Sequence, residues 1–196
     1  MRGGCGLIFL LLALSGLVGC PSREKTITHT GEITSDQQQT IFRKKIAFLL
    51  EKRSYRRAIE LMSAGKQPGS PAAGMGREYI TAINGLITVG EESFSSGDYA
   101  AAGQSFKWAL ESYPSEPLLR DRIRLDPKQL KKQMDTCSSR LMEQGLMEYR
   151  RGNLENATRK WKEIIAFDPG HKEAKKAIET ATAQLRTLQN MEKLRQ

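Results

Sequence analysis

The side chains able to do chemistry in this 196-residue chain are few and scattered. His29 and His171 each lack partners at metal-ligand spacing, so neither points to a bound metal. There is no serine elbow, no HExxH, no CxxC and no carboxylate pair spaced for acid and base work. The spacing of Gly69 and Gly74 suggests a phosphate loop, but Met75 and Gly76 stand where Lys and Ser or Thr would have to reach phosphate and Mg²⁺. No strand-like run precedes it either, so the segment reads as a connector and nucleotide binding is rejected. No cofactor and no catalytic residue are therefore expected. What remains is the cysteines: Cys5, Cys20 and Cys137.

The residues before Cys20 decide what that thiol does. Arg2 gives a positive start, and an apolar run follows from Gly6 through Leu14. That run is too short for a hydrocarbon layer of ~30 Å, so residues 1–19 read as an export signal. Leu17, Val18, Gly19 and Cys20 resemble the lipobox of bacterial lipoproteins, although valine before the glycine is a less usual choice. The resemblance implies a cysteine that is diacylated and becomes the new N-terminus. Each buried CH₂ of such a chain adds about 0.8 kcal/mol of membrane affinity. Pro21 stands where an aspartate would imply retention at the inner membrane, so the resemblance further implies an outer-membrane anchor facing the periplasm. Cys5 would leave with the signal and Cys137 would be alone, which excludes an internal disulfide.

The elements that would carry any binding surface come next. Residues 20–40 are rich in Ser, Thr and Gln and read as a flexible tether with a reach of about 25 Å. Helical periodicity begins at Ile41 and Phe42 and defines a degenerate helix pair over 41–66. Arg43, Lys44, Lys45, Lys52, Arg53, Arg56 and Arg57 make the densest basic cluster, read first as a solvated face. After a loop punctuated by Pro68, Gly69 and Pro71, a second pair spans 80–114. A linker near Ser115 to Leu125 precedes a third pair over 127–170, with Asp126 as N-cap and Pro127 at the first helical position. A capping helix over 171–192 closes the chain. The expected fold is all-α, a short solenoid of antiparallel helix pairs.

A repeated pattern supports that expectation. Gly145, Tyr149, Gly152, Leu154, Ala157, Trp161, Ile164, Ile165 and Pro169 recur 55 residues earlier as Gly90, Phe94, Gly97, Tyr99, Ala102, Phe106, Ala109, Leu110 and Pro114. Mid-helix glycine costs about 1 kcal/mol against alanine, so Gly90 and Gly145 mark a close crossing. Ala102 and Ala157 are its expected small partners, with Phe106 and Trp161 filling the space beside it. Gly97 and Gly152 suit the positive φ of a helix end, and Pro114 and Pro169 stop the second helices. The pattern resembles the tetratricopeptide repeat, a helix-turn-helix unit of about 34 residues. The 55-residue offset puts regular stacking in question.

The resemblance implies a binding scaffold that takes peptides on the face lined by the first helix of each pair. The matching positions are Asn84, Ile87, Glu91, Phe94 and Ser95 in one unit, and Ser139, Met142, Leu146, Tyr149 and Arg150 in the other. The expected function is a lipid-anchored periplasmic adaptor binding another envelope protein or peptide, with membrane contact through the lipid and no nucleic acid. An accessory role at peptidoglycan is one alternative. The formal charge of +9, spread along the chain, keeps a basic nucleic-acid-binding protein as another.

Overall fold

The computed structural model describes residues 34–64 and 74–195. Expectations for residues 1–33, acylation of Cys20 among them, and for the loop over 65–73 lie outside these. Within the described residues the chain is all-helical: α1 (Ser35–Glu51), α2 (Tyr55–Ala64), α3 (Gly76–Ser95), α4 (Tyr99–Glu111), α5 (Pro117–Arg120), α6 (Pro127–Arg150), α7 (Leu154–Phe167) and α8 (Lys172–Lys193). The hairpins α1/α2, α3/α4 and α6/α7 stack in chain order, with α2 on α3, α4 on α6 and α8 on α7. This is an all-α, helical-repeat-like fold. The long spacing between the second and third hairpins does not interrupt it, because α4 packs directly against both α6 and α7.

The first helix starts earlier than the apolar periodicity indicates. Residues 35–40 belong to α1, with Thr34 as its N-cap, since Thr34 and Gln37 form a capping box. The Thr34 amide donates to Gln37 Oε1 at 3.0 Å, and the Gln37 amide donates to Thr34 Oγ1 at 3.4 Å. Two otherwise orphaned donors are satisfied in this way before any core residue appears. A second box at Asp126 and Gln129 starts α6, with Pro127 in the first turn as expected. His171 caps α8, its Nδ1 accepting from the Ala174 amide at 3.2 Å.

All three hairpins turn by the same backbone device. Gly97 N–H donates to Phe94 C=O and Asp98 N–H to Ser93 C=O; Gly152 with Asn153, and Arg53 with Ser54, repeat the pattern. This doubly bonded helix end needs one residue in the left-handed region. Gly97 and Gly152 sit there at φ 82°, and Arg53 at φ 54°. The first hairpin therefore shares the turn while departing inside. Where the others have Gly90 or Gly145 facing Phe106 or Trp161, it has Ile46 and Met62, all six of them buried. Ile46 and Met62 fill that part of the core without a glycine.

The close crossings are made by rings. A Cβ on Gly90 would lie 2.7 Å from Phe106 Cε1, and one on Gly145 would fall on Trp161. It is thus an aromatic ring that fills the space over each glycine, while Ala102 and Ala157, both fully buried, line the same core. Two further crossings have the same build and join hairpin to hairpin: Gly85 of α3 under Tyr55 of α2, and Gly103 of α4 under Phe167 of α7.

The shared turn makes a testable asymmetry. Gly152→Ala is expected to lower stability in urea unfolding by about 1–2 kcal/mol, because a Cβ opposes the left-handed conformation. Arg53→Gly is expected to leave stability unchanged or raise it, although it removes the Arg53 to Glu92 ion pair.

Candidate functional site

The two faces singled out in the sequence have different fates. On α3 the expected binding positions are already occupied by the chain's own linker. The Asn84 side chain donates to Arg122 C=O at 3.1 Å and accepts from the Arg124 amide at 3.0 Å. The Arg124 guanidinium reaches Thr88 Oγ1 at 2.9 Å and Glu91 Oε1 at 2.7 Å. Ile123 is buried between these anchors. Asn84 and Glu91 therefore hold the 117–126 segment down on α3 and are not free for a partner. Ile87 is fully buried, so it is core and not groove. Ser95 is exposed with its hydroxyl returned to Glu91 C=O at 2.9 Å. Phe94 is half-buried in an edge-on contact with Tyr99. The residues that lengthen the repeat offset lie across part of this face.

On α6 the expected positions stay open. α8 packs on α7, and the space between α6 and α8 forms a groove. One part, of about 510 Å³, is lined by Met142, Leu146 and Tyr149 of α6, Trp161 of α7 and Ala177 of α8, with Glu143, Glu173, Lys176 and Thr180 at its rim. The adjoining part, of about 530 Å³, runs past Tyr149 to Arg150, Leu154 and Leu188. Met142, Leu146, Tyr149 and Arg150 are thus brought together at helical spacing. Ser139 is not: it is exposed at the side, and its hydroxyl bonds back to Asp135 C=O at 3.0 Å.

The floor is stiff because the Trp161 ring sits over Gly145 and its indole N–H donates to Met142 C=O at 3.4 Å. Tyr149 packs at 6.0 Å from it, centroid to centroid. At the end of α6, the Glu148 carboxylate accepts from Asn153 Nδ2 at 2.8 Å, and this bond together with Arg151 holds its carboxyl below the usual range. The charged rim of the groove carries Glu143 and Glu173 on one hand and Lys176 and Arg150 on the other. On α8 the groove is lined by Ala177 and Leu188, which share the apolar stripe of that helix, and by Lys176 and Thr180, for which the sequence carries no binding signal.

The remaining candidate chemistry is structural. Cys137 is buried within α6, and burial pushes its thiol up to about 12, so it is a packed group and not a nucleophile. Among the described residues no cluster of three or more His, Cys, Asp or Glu could hold a metal ion. None of the described helices is long and apolar enough to cross a membrane. None of the protein-family models, curated proteins or solved structures compared with the chain matches it.

The linker clamp is checked by exchange. Asn84→Ala removes two hydrogen bonds, each worth about 1 kcal/mol. Amides around Ile123 and Arg124 are expected to lose protection against hydrogen exchange, while amides of α7 and α8 keep theirs.

Proposed function

We propose that this protein is a lipid-anchored, non-catalytic adaptor that docks a peptide segment of another envelope protein in the groove between α6 and α8. The observation that carries this reading is the groove itself. It offers apolar side chains from three helices in a row, an aromatic floor and charges of both signs at its edges. A helix or extended segment with apolar anchors at alternate or one-turn spacing fits such a surface. Aromatic anchors held rigid before binding cost little ordering entropy when the partner arrives.

The rest of the reading comes from sequence resemblance. The hairpins are read as tetratricopeptide-like units, whose first helices face a peptide. Residues 17–20 are read as a lipobox, with Cys20 acylated and the folded body held in the periplasm at the outer membrane, the side implied by Pro21. On this reading the lipid supplies location and the groove supplies choice of partner.

Photo-crosslinking in intact cells, combined with acyl labelling, tests both halves. A crosslinker at Leu146 or Leu188 is expected to capture one envelope protein, whereas the same group at Glu179, exposed on α8 outside the groove, captures none. Palmitate label is expected on the protein and lost on Cys20→Ala. Equal capture from Glu179, or label that survives Cys20→Ala, would contradict the proposal.

A further inference from the structure

The first helix carries a face that the core does not use. Ile46 is the buried residue of α1, and Phe42, Leu49 and Leu50 pack beside it. Steps of three and four residues place Ile41, Lys44, Lys45, Phe48 and Lys52 together on another face. Ile41 and Phe48 are each 57% exposed, and Lys52 Nζ lies 5.8 Å from the centre of the Phe48 ring. Of the acids of α1, Asp36 lies on the opposite side, and Glu51 borders the face seven residues on from Lys44. Elsewhere in this hairpin Arg53 pairs with Glu92 and Arg56 with Glu60, while Arg43 and Arg57 lie off this face. Among the described residues, Lys44, Lys45 and Lys52 have no carboxylate partner.

We propose that this face of α1 lies on an anionic phospholipid surface, with Phe48 and Ile41 entering between headgroups and the three lysines set against phosphates. Two apolar side chains seven residues apart are too little for a stable protein interface, which buries about 1,000 Å² or more. A membrane-surface helix asks for less: a large apolar residue or two, flanked by long cationic side chains whose stems lie along the acyl boundary. Each lysine near an anionic leaflet strengthens binding about fivefold. The face is also within chain reach of the expected anchor. If Cys20 carries lipid, as the preceding reading holds, the 14 residues between it and Ser35 span at most about 50 Å. The face would then be delivered to the surface by the anchor and would orient the stack on it. The face itself does not depend on acylation.

The test uses residues 33–196, a single compact unit that encloses its own core and contains no acylation site, so it is independent of Cys20. Sedimentation with phosphatidylglycerol vesicles is expected to show binding at least about tenfold tighter than with phosphatidylcholine vesicles, weakening with salt. Combined Lys44→Glu, Lys45→Glu and Lys52→Glu is expected to lower that affinity by about 100-fold or more. Phe48→Ser is expected to lower it severalfold without altering the salt dependence. All these positions are exposed, and an unchanged thermal melt confirms that the variants fold. A control reversal at Lys172, Lys175 and Lys176 of α8 separates this face from diffuse attraction to a basic protein. The proposal is overturned if vesicles are not bound, if the α1 reversal leaves binding intact, or if the α8 reversal weakens it equally. A negative palmitate result would sink the anchor and leave this outcome untouched.

Discussion

An aromatic ring seated on a helical glycine is the contact on which the rest of this protein depends. Among the described residues it occurs four times: Tyr55 on Gly85, Phe106 on Gly90, Phe167 on Gly103 and Trp161 on Gly145. Each glycine gives up helix propensity of about 1 kcal/mol relative to alanine. In return a ring sinks to the level of the neighbouring backbone, where burying an aromatic side chain stabilises by roughly 1.5–3 kcal/mol. Removing a Cβ therefore gains more in packing than it loses in backbone entropy, provided that the ring has nowhere else to go. Two of these contacts close a hairpin and two join one hairpin to the next, so the same device makes the unit and the stack.

That arrangement ties the candidate site to the core. Trp161 is both the ring on Gly145 and the floor of the groove between α6 and α8. A disturbance of the contact beneath is felt at the surface above. The two first-helix faces differ because of what covers them. On α3, the linker uses Asn84 and Glu91 as its own ligands through Arg122 and Arg124. On α6 no such insertion follows, and the chain runs straight from the third hairpin into α8. One face is therefore closed by sequence-local chain and the other remains open.

Much of the architecture was legible in the sequence, and the limits have physical causes. The crossings at Gly90 and Gly145 are legible because each lies within one hairpin and recurs at a fixed offset, although the rings of Phe106 and Trp161, and not the expected Ala102 and Ala157, meet the glycines. Gly85 with Tyr55 and Gly103 with Phe167 could not, since contacts between hairpins follow no repeated spacing. The start of α1 was missed because Thr34 and Gln37 cap a turn with no apolar residue, where periodicity is silent. Met142, Leu146 and Arg150 were reached by counting along one helix. The bonds of Asn84 and Glu91 to the linker are invisible in sequence, since their partners lie more than thirty residues away and polar side chains look alike whether they await a ligand or hold a loop.

A double-mutant cycle on Gly145 and Trp161, read by urea unfolding, tests the central contact most directly. The account predicts that Gly145→Ala destabilises the native chain by about 1–3 kcal/mol, the cost of overpacking. In the Trp161→Leu background the same change should be neutral or stabilising, as helix propensity then acts alone. If Gly145→Ala were equally costly, or equally harmless, in both backgrounds, the ring would not be what the glycine accommodates and the account would be contradicted.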